Sequence, residues 1–247
     1  MMFRTVVLAV TAFTLLATLP QTARAQEYGR PVLDLMYDDR SYINDPHYRG
    51  LADQAVRYYK YQPQNFPFQK FRRHYSGTSW YDPVTDKLRE DLLKSAYDLT
   101  NSKDQEVVKQ AKKNYEEIVS NHMGNIGIIM EALALAREDK RFGDPGFFRW
   151  MRDGLIQVII GSGDGKTLTS AYHTYTADEE TMLVAYLGLK LINTEARQEG
   201  RIAYNMHLVR DPKTNREYTI FIDVTRAMAK IQNSKKKEKS GIGLLRQ

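Results

Sequence analysis

The chain contains no cysteine. That excludes a disulfide framework and, equally, an anchor through a lipid-modified N-terminal cysteine. Long apolar runs are scarce. The one present, VVLAVTAFTLLATLP between Thr5 and Pro20, is shorter than the roughly 20 residues that cross a bilayer, and no later stretch has the length and apolarity to span one. The body also lacks clustered positive charge. The net charge is +6, but Arg4 and Arg24 lie in the first 25 residues, and without them 34 basic residues face 30 acidic ones. From Lys230 onward there are six more basic residues and one acid, which leaves 28 basic against 29 acidic between Gln26 and Ala229. A body this close to neutrality has no Lys/Arg footprint to neutralise phosphates, so nucleic acid is excluded as a partner.

What is present at the N-terminus fixes an expected location. Met1 to Arg4 is a short positive start, the apolar run follows, and Ala23-Arg24-Ala25 puts small residues at the two positions a signal peptidase reads. Residues 1–25 are expected to be a signal peptide cleaved before Gln26, with no transmembrane segment left, giving a periplasmic or secreted protein. At the other end, residues 232–247 are rich in lysine and poor in apolar side chains. They read as a disordered basic tail, whose functional use would be weak contact with acidic surfaces.

Between these ends the mature chain divides in two. Residues 26–50, with Pro31, Asn44-Asp45-Pro46 and many tyrosines, read as an extended arm. Residues 51–161 read as a stack of antiparallel helices. Leu51, Ala52, Ala55, Val56 and Tyr59 mark one face before Pro63; Phe66 to Gly77 holds a second short helix; Pro83 opens a third with Leu88, Leu92, Ala96 and Leu99 along one stripe. Asp104 is placed to cap a fourth, whose Val107, Val108, Ala111, Tyr115, Ile118 and Val119 share a face. Two more follow, ending at Ile160. The succession AKKNYEEIV and NIGIIMEALALAREDKRFGDPGFF resembles a degenerate tetratricopeptide stack over about one and a half repeats, and a plain helical bundle accommodates it equally.

Residues 162–231 change period. Ala171 to Thr176 alternates as a strand does, Asp178 is placed to cap a helix, and Arg201–Arg210 and Arg216–Val224 form a hairpin around DPKTN. Thr225 begins a last short helix. The expected fold is α+β: the helical stack, then a small antiparallel three-stranded sheet with flanking helices.

Chemistry-bearing residues gather at the boundary, in GSGDGKTLTSAYH. Gly165-Lys166-Thr167 looks like the end of a phosphate loop, but the glycine needed five positions before Gly165 is Ile160, and the flanks run helix to strand where a P-loop needs strand to helix. A nucleotide is therefore not expected, nor any other cofactor. A helix-ending turn explains the glycines, with Gly161 and Gly163 free to take positive φ. The same turn offers a candidate anion site in Gly163, Asp164, Gly165 and Lys166, with His173 beside it. Ser162 or Ser170 with His173 and Asp164 is a conceivable hydrolytic set, although no nucleophile elbow surrounds either serine. The five histidines, His47, His74, His122, His173 and His207, contain no close ligand pair, so no metal is expected.

Around this loop, IIGSGDGKTLTSAYHTYTADEETMLVAYLGLKL and AYNMHLVRDPKTNREYTIFIDV resemble the secreted bacterial family known as domain of unknown function 4919. Upstream, Phe71, Arg72, Tyr75 and Gly77 match that family's YRxxYxG segment. The resemblance implies an exported location and a fold, and makes Gly163, Asp164, Gly165, Tyr172, His173 and Leu187-Gly188 family features; it brings no activity and no catalytic residue.

Two functions follow from the sequence. The first is a non-enzymatic exported module that binds a protein or peptide partner, with Tyr58, Tyr75 and Arg72 lining a groove between helices. The second is a hydrolase or anion-binding protein with its site between Gly161 and His173.

Overall fold

The computed structural model describes residues 46–244, with side chains from residue 47 to residue 234. The expected signal peptide and most of the expected arm lie outside the described residues. Among the described residues, eight α-helices and four strands form an α+β fold: α1 (Pro46–Tyr61), α2 (Phe68–Tyr75), α3 (Asp86–Asn101), α4 (Gln105–Asn121), α5 (Ile126–Glu138), α6 (Pro145–Ile160), β1 (Tyr172–His173), α7 (Ala177–Tyr186), β2 (Lys190–Glu199), β3 (Ile202–Arg210), β4 (Glu217–Asp223) and α8 (Thr225–Leu244). No helix among the described residues is long and apolar enough to cross a membrane.

Local sequence starts the central helices cleanly. Asp104 accepts from the N–H groups of Glu106 and Val107 at the head of α4, Asn125 from Gly127 and Ile128 at α5, and Asp144 from Gly146 at α6, where Pro145 occupies the first turn. Each such cap stabilises its helix by about 1 kcal/mol. Helix α5 is apolar on nearly every side and buries seven of its thirteen residues, Ile126, Ile128, Ile129 and Leu133 among them. That places it at the centre, touching α3, α4, α6 and α7. Helix α6 faces it with Met151, Leu155, Ile156 and Ile159. An aromatic cluster of Tyr59, Phe66, Phe68, Phe147 and Trp150 joins α1, α2 and α6 mostly edge to face, Tyr59 and Phe147 meeting Trp150 at tilted angles.

Several boundaries differ from the expected ones. Helix α1 begins at Pro46, so the arm ends earlier than residue 50; Tyr48 is buried and its hydroxyl donates to the Asn121 carbonyl at 3.0 Å. The cap of α7 is Thr176, whose hydroxyl accepts from Glu179 N–H at 3.2 Å, which frees Asp178 to bind Thr85 and Arg89 of the third helix region. The final helix continues to Leu244 where a disordered tail from residue 232 is expected. Lysine and glutamate are good helix formers even without a core to pack on.

The sheet has four strands in the order β1-β4-β3-β2, not three. β2–β3 and β3–β4 are antiparallel, but β1 pairs parallel with β4, Tyr172 opposite Ile222 and His173 opposite Asp223. The segment Ala171–Thr176 shrinks to two paired residues because a 3-10 turn at Leu168–Ser170 precedes them and Thr176 is already used as a cap. The expected hairpin strands survive as β3 and β4, with Asn215 at φ 55 in the turn between them. β2 is new, and all ten of its residues are exposed.

Candidate functional site

The glycine turn is closed upon itself. Asp164 and Gly165 both donate their N–H groups to the Ser170 carbonyl, at 3.0 and 2.8 Å, and Gly165 in turn accepts from Phe221 N–H at 2.8 Å, which ties the turn to β4. The Asp164 carboxylate accepts from Lys166 N–H at 3.0 Å and the Ser170 hydroxyl at 2.6 Å, with Lys166 Nζ 3.2 Å away. Those hydrogen bonds, Ser170 first, hold the carboxyl pKa down to about 2. The N–H groups of Asp164, Gly165 and Lys166 and the Lys166 ammonium already meet oxygens of the turn itself, which leaves the expected anion site of Gly163, Asp164, Gly165 and Lys166 without most of its donors.

The glycines are needed for reasons other than those the sequence suggests. Gly161 ends α6 in ordinary right-handed geometry, φ −71, not in a left-handed stop. At Gly163 a Cβ would sit 2.3 Å from the Ser170 carbonyl oxygen and 2.4 Å from that of Ala171, so two backbone strands pass too close for any side chain. Gly165 alone in this turn takes the left-handed conformation, φ 67, with the Tyr172 ring covering it.

Nor does the structure assemble the hydrolytic set. Ser162 Oγ donates to the Ile159 carbonyl at 2.6 Å and accepts the His173 backbone N–H at 2.8 Å. The His173 ring faces Asp223, Nδ1 to Oδ2 3.6 Å, rather than Asp164. Burial lowers the His173 pKa; Asp223 opposes that and Arg72 adds to it, so the imidazole is held toward its neutral form. Among the described residues, no group of three or more His, Asp or Glu is placed to hold a metal ion.

Arg72 sits at the heart of this junction, 3% exposed. Its Nε donates to Glu179 Oε1 at 2.9 Å, and its Nη2 to Glu179 Oε2 at 2.6 Å and the His173 carbonyl at 2.8 Å. The guanidinium lies 3.7 Å from the centroid of the Tyr175 ring, and the Tyr81 hydroxyl donates to the Tyr175 carbonyl at 2.6 Å. Burial alone would lower the Arg72 pKa, but the Glu179 charge and hydrogen bonds outweigh it and the net direction is up. Glu179 also accepts Tyr175 N–H. The pair therefore locks α2 to the start of α7 and the end of β1.

The expected groove does not open at Tyr58, Tyr75 and Arg72. Tyr75 is 1% exposed, against the rings of Tyr48 and Tyr81, and its hydroxyl lies 3.1 Å from His122 Nδ1. Tyr58 is half-buried and meets Phe66 edge-on. Both tyrosines spend ring area on the core, and Tyr75 also satisfies its hydroxyl there. A polar groove of about 500 Å³ does run between α3 and α4, past Asp91, Lys94, Asp98 and Glu117.

The open surface is at the edge of the sheet. β2 is a sheet edge, so among the described residues no strand covers its outer side. Leu191 and Ile192 are 45% and 40% exposed, at the point where the β2–β3 register shifts between Leu191 and Asn193. A strand of ten residues is long against the usual five or six. Nothing in LINTEARQE announces it, because no face is buried and so no alternation is written into the sequence. Comparison of the chain with protein-family models, with curated proteins and with solved structures finds no match.

Proposed function

We propose that this is an exported binding module that captures an extended segment of a protein or peptide partner as an additional strand along β2. The observation behind it is the exposure of all ten β2 residues at a sheet edge. Such an edge presents a row of backbone donors and acceptors, and natural proteins shorten, bend or cover their edges to avoid unwanted pairing. β2 is neither short nor covered, and its register shift lies near one end, between Leu191 and Asn193; its charges of both signs restrict pairing to a complementary strand, which suits strand addition in which the main chain supplies affinity and alternate side chains supply selectivity. Glu195, Arg197 and Glu199 fall on one face of β2 and alternate in sign, so the favoured partner strand carries the reversed order, basic-acidic-basic, opposite them. Support for export comes from the positive start, the apolar run and Ala23-Arg24-Ala25.

A site-resolved crosslinking experiment tests this. A photoreactive residue at position 196 or 198 of β2, in protein expressed with its N-terminal segment, should trap a partner that the same residue at position 113 on α4 does not. Hydrogen exchange at β2 amides should slow in the trapped complex. Equal trapping from both faces, or unchanged β2 exchange, removes the proposal.

A further inference from the structure

A second arrangement lies on the face of the sheet against α7. Thr194 of β2 and His207 of β3 are directly opposed in the strand register, and Thr194 Oγ1 is 2.9 Å from His207 Nδ1. The other ring nitrogen, Nε2, is 3.0 Å from Glu180 Oε2 on α7. Asn205 Nδ2 donates to that same carboxylate oxygen at 2.8 Å and fixes its position. Hydroxyl, imidazole and carboxylate thus stand in one hydrogen-bonded line. The ring is almost completely buried, Glu180 is 14% exposed, and the threonine is open to solvent.

The proton positions follow from donor chemistry. An ionised Glu180 can only accept, so Nε2 carries the hydrogen of the neutral ring and the Nδ1 lone pair receives the Thr194 hydroxyl. This is the relation a hydroxyl nucleophile needs: a base within hydrogen-bond reach, itself oriented by a third group. The three side chains also line a pocket of about 290 Å³ between α7 and the β2–β3 pair, with Ala177, Val184 and Leu191 supplying its apolar wall. At roughly 30 Å³ for a water-sized group, that is space for about ten non-hydrogen atoms. Glu180 is the one charged residue of the lining, so anionic substrates are disfavoured. With no Lys or Arg there to steady an oxyanion, stable leaving groups are selected.

We propose that Thr194 is a nucleophile for acyl transfer from small, neutral, activated esters. Thr194 Oγ1 forms a bond to the acyl carbon while its proton moves to His207 Nδ1; the bond from that carbon to the leaving oxygen breaks, and the leaving group takes the proton. Water then attacks the acyl carbon, giving a proton to Nδ1; the bond to Thr194 breaks, its hydroxyl regains the proton, and a carboxylic acid departs. Glu180 holds the ring and balances the imidazolium formed in each half-reaction.

The test uses the full chain and p-nitrophenyl acetate. Release of p-nitrophenol should show an initial burst, with one acetyl group mapped to Thr194 by peptide mass spectrometry. Thr194→Ala should remove the adduct, Thr194→Ser should keep it and react faster through its less hindered hydroxyl, and Glu180→Gln should slow it at least tenfold, towards the hundredfold typical of lost base catalysis. Thermal melts of the exposed Thr194 variants verify that they remain folded. Acetylation scattered over lysines and unchanged by Thr194→Ala, or no acetylation of the wild-type chain, overturns the proposal.

Discussion

Two Arg–Glu pairs in this protein have the same closest approach. Arg72 Nη2 and Glu179 Oε2 are 2.6 Å apart, and so are Arg197 Nη2 and Glu195 Oε1 on β2. The first pair is 3% and 1% exposed, the second 53% and 52%. In the junction both charges have left water, so each depends on the other and on the Tyr175 ring and the His173 carbonyl. On β2 each is solvated whether or not the other is present. Only the closest approach is shared: the buried pair is bidentate, Nε to Oε1 and Nη2 to Oε2, where the exposed one has a single hydrogen bond, and its environment separates a region that holds the fold together from one left free to meet something else.

The largest effect that can test this contrast is removal of one partner. Glu179→Ala leaves the Arg72 guanidinium buried without its anion and deprives Tyr175 N–H of an acceptor, a loss of about 3–5 kcal/mol. Glu195→Ala should cost about 0.2–1 kcal/mol at most, because its partner is exposed and screened. Urea denaturation of both variants checks it, and comparable losses would break the distinction drawn between the two regions.

Acid titration reaches the same contrast from the helical side. His122 is buried against Tyr75, and burial lowers its pKa to about 4. In the unfolded chain the ring titrates near 6.5, so between the two values the unfolded state binds more protons than the folded one, and stability falls as pH falls. The contribution is complete above pH 6.5, declines from there to about pH 4 and is flat below, amounting to about 3 kcal/mol. His122→Gln should flatten that interval in a plot of unfolding free energy against pH; a slope unchanged by the substitution would place the acid sensitivity elsewhere.

Two glycines sharpen the comparison further. A methyl at Gly163 meets two carbonyl oxygens of the junction backbone, which cannot move aside as a side chain can. Gly163→Ala should cost about 2 kcal/mol, within the usual range for overpacking. Gly200, in the β2–β3 turn, has open space around it and only its φ of 59 to object. Gly200→Ala should cost about 1 kcal/mol from left-handed strain alone. Thermal melts rank the two, and the reverse order would mean that the junction is looser than its contacts imply.

What was legible in the sequence followed burial. Asp104 before an amphipathic run and the DPKTN turn are local signals, and α4 and the β3–β4 hairpin stand where those signals put them. The α+β class follows from them. Arg72 and Tyr75 were readable as special residues but not as core, because a charged or hydroxylated side chain looks the same in sequence whether it faces a groove or a distant partner; Glu179 is 107 residues from Arg72. Asp164 and His173 are close in sequence yet bind Ser170 and Asp223, partners fixed by the turn and by the parallel β1–β4 pairing. β2 was illegible for a different reason. Alternation records a buried face, and β2 has none.

The smallest expected change in stability is the one that bears most on function. Ile192→Lys with Ala196→Lys adds charge to the exposed edge without touching the core, and neither side chain is among the Thr194 pocket walls. Unfolding free energy should shift by no more than about 0.5 kcal/mol, as for ordinary surface substitutions. Strand addition should nevertheless be suppressed, since lysine on an edge strand disfavours pairing with a further chain. Melting temperature and site-specific crosslinking from position 198, measured on the same preparation, separate the two quantities. If the variant melts with the wild type but no longer traps a partner, the edge is for binding. If it melts early, β2 is held by contacts that its exposure does not reveal, and the contrast between the buried junction and the open strand fails.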